Sequence, residues 1–407
     1  MIKYLFVLAF FFLLMPCHAQ QSAVDTAKIR EDFNQILQDM TTRYVYLSEK
    51  KIDLDCLREK YSAKIDGLQN QSEVILFFEY FLNEFYDSHI SLSTNIQESY
   101  RLSSPFYVAP SVKGFYIKNV WQSQLSNLTD DIVGAEIIAL NGRAFNEQIE
   151  AFPSLCQDKK HLEIRTWIAN KVLAGKYSEP RILTLRLKSG KEIELDMDRL
   201  SYHQSKELLS SAVQEEIGII RINNSLGNNQ LIQAFDKALN DLSETKGLIL
   251  DLRNTNNGGN TYVAKGIMGR FIDKELPYQK HMYIESYEAD MPIVRSWMEM
   301  VSPRAKQYTQ PLIVLVGRWT GSMGEGMAIG FDAMNRAEIV GTEMKRLAGS
   351  DFDFRFSHQS FGYKVILEKL YHIDGRAREL YIPKNNVEQS TITLDESMEK
   401  AIEILMK

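Results

Sequence analysis

Five apolar residues in succession, Leu312-Ile313-Val314-Leu315-Val316, stand between Pro311 and Gly317. A run of that length, so bounded, reads as a short strand buried on both faces, and such a strand needs covering layers on either side. The turn Arg318-Trp319-Thr320-Gly321 follows, and Ser322-Met323-Gly324-Glu325-Gly326-Met327-Ala328 then starts a helix. Ser322 has two readings. With Glu325 three residues on it forms a capping box, the commoner use of such a serine. On a rigid turn beside unpaired helix N–H groups it is also placed as a nucleophile, because those groups stabilise an anion.

The strand–turn–helix alternation is repeated upstream, from Glu216 onward. Ile217-Gly218-Ile219-Ile220-Arg221-Ile222 reads as a strand and Leu231 to Leu242 as an amphipathic helix. Gly247-Leu248-Ile249-Leu250-Asp251-Leu252-Arg253 is a second buried strand, running into Asn254-Thr255-Asn256-Asn257-Gly258-Gly259-Asn260 and a helix near Thr261. This pattern predicts an α/β domain over 199–407. Its glycine-rich turn sets backbone N–H groups at the carboxyl edge of a sheet, but neither phosphate-loop spacing is present, so no nucleotide cofactor is expected. Residues 273–310, polar, aromatic and weakly patterned, read as a candidate lid or substrate-contacting segment. Ala337 to Thr342 and Lys364 to Leu367 read as strands, and residues 394–406 as a closing helix.

Before that domain the pattern differs. Residues 25–47, 54–68 and 72–85 carry apolar side chains at helical spacing, which predicts a helical domain over 20–103. The third helix runs into Asp87-Ser88-His89-Ile90-Ser91-Leu92-Ser93, where the period changes from 3.6 to 2 and places His89 at a helix-to-strand junction. A histidine there is more often structural than catalytic. His161, His203, His281, His358 and His372 have no comparable setting. Residues 104–198 are strand-rich with a helical stretch at 145–175, and read as a small β-rich module.

The first residues are an exception to an ordinary soluble composition of 44% hydrophobic and 25% charged residues. Lys3, the apolar run Tyr4 to Met15 and Ala19 predict a secretory signal peptide over 1–19. Leu14-Met15-Pro16-Cys17 is a poor lipoprotein box, so a soluble exported protein is expected rather than one anchored at Cys17. After cleavage Cys56 and Cys156 remain. No motif supports their pairing, and two free thiols fit the sequence at least as well. A net charge of −6 without a basic stripe argues against nucleic acid as a partner. No His, Cys or carboxylate spacing suits a metal, and Asp351 with Asp353 reads as a solvated strand face.

Four motifs in order resemble the tail-specific (carboxyl-terminal processing) serine proteases and their tricorn-core relatives. They are Phe85-Tyr86-Asp87-Ser88-His89, Asp251-Leu252-Arg253 through Gly258-Gly259, Thr320-Gly321-Ser322-Met323-Gly324-Glu325, and Glu379-Leu380-Tyr381-Ile382-Pro383. The resemblance implies a crotonase/Clp-protease-like α/β core of repeated ββα units, preceded by a helical domain and a PDZ-like module. It implies an exported endopeptidase acting on peptides or unfolded proteins, with no cofactor. One branch of that family pairs serine with a lysine in a G-K-G segment, which is absent from Val340 to Gly349. The other branch implies here a tetrad of Ser322 as nucleophile, His89 as base, and Ser88 and Glu379 behind it. Backbone N–H groups of Met323 and of Gly258 or Gly259 would form the oxyanion hole. The chemistry is sound, because a serine needs a base with a pKa near the working pH and imidazole supplies one. Two other readings stand beside it. One is a catalytically inactive homologue that binds peptides or an apolar ligand; the other is a protease using Lys345. The sequence says nothing of oligomeric state.

Overall fold

The computed structural model describes residues 24–203, 206–286 and 293–407, so the leader read at residues 1–19 lies outside the described part. Three main helices open it, Thr26–Arg43, Leu54–Ser62 and Gln71–Asn83. Each begins where a short polar side chain accepts from the first turn: Asp25 from Lys28 N–H at 3.3 Å, Asp53 from Cys56 N–H at 2.9 Å, Asn70 from Glu73 N–H at 3.0 Å. Their apolar stripes meet in an aromatic core in which Phe33 and Tyr61 each pack edge-on against Phe77 and Phe81.

Residues 106–196 form one antiparallel sheet, with the helices Phe145–Glu150 and Leu162–Ala174 inserted within it. Asn170 on the second helix donates to Val108 C=O at 3.1 Å and accepts from Val108 N–H at 3.0 Å. The edge strand Phe106–Pro110 is thus already paired at Val108, where an added peptide strand would otherwise bond.

The α/β region is built on a six-stranded sheet. Its order runs Asn385–Asn386, Glu338–Gly341, Leu312–Val316, Gly247–Asp251, Ile217–Ile222 and Leu209–Gln214, and only the last pairing is antiparallel. Leu312–Val316 is buried throughout and lies between two parallel neighbours, as its unbroken apolar run requires. One face packs on the helices Leu231–Asp241, Thr261–Met268 and Met323–Ala333, the other on Glu396–Leu405.

Two expectations are corrected. Residues 273–310 are not weakly patterned: Leu276–Ser286 and Ile293–Val301 are long strands of a second, antiparallel sheet with Gly362–Tyr371 and Ser350–Arg355. The buried members of the first strand include Gln279 and His281, so its alternation is invisible to a count of apolar residues. Cys56 and Cys156 form a disulfide, with Cα atoms 5.9 Å apart. Sequence separation hid that proximity, because nothing local brings the second helix to the loop after Glu150.

The second sheet also carries the helical body. Phe78 and Phe356 pack as tilted rings with centroids 4.3 Å apart, and Tyr363, Val365 and Ile366 belong to the same buried cluster as the three helices. This docking brings the chain around residue 89 towards the carboxyl edge of the main sheet.

Candidate active site

Three turns leave the carboxyl ends of three adjacent parallel strands, at residues 252–260, 317–322 and 342–349, and open α/β sheets place their sites at this edge. Thr320 stitches the first two together. Its hydroxyl donates to Leu252 C=O at 3.0 Å and accepts from Gly317 N–H at 3.0 Å. Asp251, wholly buried, anchors the base of the first turn by accepting from Arg221 Nε at 2.8 Å and from Arg253 Nε at 3.0 Å. Burial opposes its charge, but the two guanidiniums hold its carboxyl well below the ordinary range.

Ser322 sits on the next turn with φ 49° and ψ −109°, left-handed backbone for a residue with a Cβ. Such a conformation costs on the order of 1–3 kcal/mol and persists only where the surroundings impose it. What imposes it is the fully buried Glu325. Its carboxylate accepts from Ser322 N–H at 2.8 Å, from Arg346 N–H at 2.8 Å and from Leu347 N–H at 3.2 Å. Burial pushes the Glu325 carboxyl up, while Arg378 and these N–H groups oppose the shift. Glu325 therefore does more than close a capping box: it ties the serine turn to the segment 345–349.

Gly258 lies directly against the serine. Its φ is +66°, and a Cβ there would stand 2.5 Å from Ser322 Cβ, 3.1 Å from Ser322 Oγ and 3.1 Å from Met323 N. The Gly258 N–H is spent on Thr255 C=O at 3.0 Å. Among the described residues, neither Gly259 N–H nor Met323 N–H has a partner; Met323 is the first residue of its helix, where none is available. Of the two glycines, Gly259 thus holds the free donor and Gly258 supplies the space.

His89 is brought from the other side. Its N–H donates to Asp87 Oδ1 at 2.9 Å, and Asp87 is held in turn by the Tyr44 hydroxyl at 2.8 Å. The ring places Nδ1 2.9 Å from Ala348 C=O and Nε2 3.3 Å from Asp351 Oδ1. Burial pushes the imidazole down, and the Asp351 carboxylate opposes that shift.

The other residues expected around His89 stand elsewhere. Ser88 Oγ accepts from Trp167 Nε1 at 3.2 Å and lines a cavity with Trp167, Asn256, Arg318 and Lys345. Glu379 has one carboxylate oxygen buried without a hydrogen bond and faces the Tyr46 phenol; its backbone C=O accepts from Arg346 Nε at 2.9 Å. Among the described residues neither has a hydrogen bond or ion pair with the imidazole. Asp351, read as solvated, is the carboxylate that does, and its side chain is 22% exposed against 81% for Asp353. Lys345, the alternative base, has its ammonium buried in the same region. Its ammonium donates to Asn256 Oδ1 at 2.9 Å and Asn256 C=O at 3.1 Å, and burial pushes it down to about 8.

Arg378, 2% exposed, completes the frame by donating to Leu347 C=O at 3.0 Å and Gly349 C=O at 2.7 Å. It was not legible as a site residue, since nothing local separates it from its neighbours Arg376 and Glu379. Among the described residues no cluster of three or more His, Cys, Asp or Glu could hold a metal ion, and no helix is long and apolar enough to cross a membrane.

Comparison with known proteins bears on this arrangement. Residues 216–385 match the family model of Peptidase family S41, and residues 25–83 that of the Tricorn protease C1 domain. Among solved structures, mature CPAF is similar at 15% identity, over 94% of this chain and 96% of that one, with a TM-score of 0.62. The photosystem II D1 C-terminal processing protease is similar at 15% identity, over 94% and 98%, with a TM-score of 0.55. At such identities the likeness is one of fold. No curated protein matches the sequence.

Proposed function

We propose, from the premise that residues 216–385 belong to Peptidase family S41, that the chain is an exported serine endopeptidase acting on peptides or unfolded proteins. The observation that carries this reading is the geometry of Ser322. A serine held at positive φ on a helix N-terminus, with Gly258 packed against its Cβ, is costly as a cap and useful as a nucleophile. The disulfide supports export, since such bonds persist in oxidising compartments.

Ser322 Oγ attacks the scissile carbonyl carbon while His89 takes the hydroxyl proton. The carbonyl π electrons move to oxygen, and the oxyanion is met by the N–H groups of Met323 and Gly259. Collapse expels the amine, which takes its proton from the imidazolium, and water removes the acyl group by the same steps in reverse. The imidazole must first exchange Ala348 C=O for the serine hydroxyl. What supports this exchange is the linkage through Glu325, which holds Ser322 N–H and Leu347 N–H on one carboxylate oxygen, with Ala348 the next residue.

Labelling of Ser322 by a serine-directed phosphonate, lost in H89A, tests the pair in one experiment. Protein that binds peptide tightly yet neither labels nor turns over would return the chain to the non-catalytic binding class. One observation favours a second reading, with lysine as base. Lys345 has an ammonium pushed down to about 8, and its Cδ lies 3.1 Å from where a Cβ on Gly321 would stand. That reading requires K345A to be dead and H89A to be active.

A further inference from the structure

Resting on the peptidase reading above, we propose that Asp351 is the positioning residue of the reaction, the carboxylate that selects the working tautomer of His89 and bears its charge. Asp351 is the second residue of the strand Ser350–Arg355 and stands opposite Ile366 at the start of its regular pairing with Gly362–Tyr371. Asp351 and Asp353 are two apart and share a face, on which Lys364 pairs with both, but Asp351 lies beside His89 and is mostly covered while Asp353 is mostly exposed.

The order of contacts is that of a relay. Nδ1 meets the carbonyl of Ala348, in the segment that Glu325 ties to the serine turn. Asp351 lies on the other ring nitrogen. Lys364 forms an ion pair with the second oxygen of Asp351, which fixes the carboxylate in place. Burial works against the Asp351 charge, but His89 and Lys364 together hold its carboxyl below the ordinary range. The other charged groups facing His89 are Arg378, which opposes a cationic ring, and Asp87, which favours one. Glu379 is not among them.

Chemistry follows from the tautomer. With its proton on Nε2, directed at Asp351, the neutral ring presents a lone pair at Nδ1. That lone pair and the lone pairs of Ala348 C=O repel, whereas the Ser322 hydroxyl is a donor. The same proton that satisfies Asp351 therefore turns Nδ1 from the carbonyl to the serine. Once Nδ1 has taken the hydroxyl proton, the imidazolium keeps Asp351 as its counter-ion, and no proton passes to the carboxylate.

The test is turnover of a fluorogenic peptide by the full mature chain as wild type, D351N, D351E, E379Q and H89A, with pH profiles. D351N is expected to lose about 10³- to 10⁴-fold in kcat with KM changed by less than about threefold, as when a triad carboxylate becomes an amide. The acid limb of its residual kcat/KM should move to lower pH, because the anion that raised the His89 pKa is gone. A merely structural Asp351 would not move that limb. D351E keeps the charge, so it should retain the wild-type limb and recover part of the rate. It also serves if D351N does not fold. Wild-type turnover by D351N beside a dead H89A would overturn the proposal while leaving the base in place. So would a larger loss in E379Q than in D351N, or a D351E limb displaced as far as that of D351N. Full turnover by H89A would remove base and partner together.

Discussion

Ser322 and His89, the pair proposed to react, are positioned by routes of different length. The serine's surroundings come from contiguous chain at one sheet edge: a buried strand, a four-residue turn, a helix start, and the glycine turn of the adjacent strand. Each piece is dictated by its own residues. The histidine is delivered by a separate helical body, docked on a second sheet through Phe78 and Phe356 and fastened by a disulfide to the loop after Glu150. Its ring partners come from residues 348 and 351, on yet another segment. A nucleophile can thus be specified locally, while its base depends on how whole bodies pack.

The largest effects should treat the two halves alike. S322A and H89A should each lose on the order of 10⁶ in kcat, about 8 kcal/mol, because members of a catalytic unit cost nearly as much singly as together. Melting temperatures close to wild type would show that the fold survives. An active H89A would break the comparison by making the distant half dispensable.

Next comes G258A, which tests the local half. A methyl group 2.5 Å from Ser322 Cβ at φ +66° must displace the serine. A loss of about 10²–10³ in kcat is expected, the scale of a spoiled oxyanion hole, with about 1–3 kcal/mol of stability. D251N leaves Arg221 and Arg253 without their buried anion and should cost about 3–5 kcal/mol in denaturant melts. The sign with pH follows: the native carboxyl is depressed, so its stabilisation is whole above about pH 4 and is lost as pH falls towards the lower native pKa.

The distant half has its own probe in C56S/C156S. Removing a bond that closes a separation of 100 residues should cost about 2–5 kcal/mol, read as an earlier unfolding midpoint, with little change in turnover by protein that stays folded. The smallest effect should be that of K345A. With His89 as base, removing this amine should cost less than about tenfold in kcat, comparable to losing one peripheral hydrogen bond, and leave the alkaline limb in place. A dead K345A would move the base into the serine's own domain.

The unequal routes explain what was legible in the residues. Leu312–Val316, the turn to Ser322 and the glycines at 258 and 259 could be read because strand burial, helix starts and tight turns are encoded within a few positions. His89 stood out by its junction. Its carboxylate did not, because Asp351 and Asp353 share one strand face, and what covers the first of them is His89, far away in sequence. Glu379 was chosen by motif; the structure turns it to Tyr46, whose phenol is also buried without a hydrogen bond. The strands at 276–301 were missed because polar residues occupy their covered positions.

The Glu325 carboxylate has a mechanical corollary. It grips the nucleophile's own amide and, at the same time, two amides of the segment whose carbonyl engages the imidazole. Any shift that frees the ring therefore pulls on the bent backbone carrying the hydroxyl, so the two halves move into readiness as one linkage. A substrate that presses on residues 345–349 would be felt at Ser322 before its own scissile bond arrived.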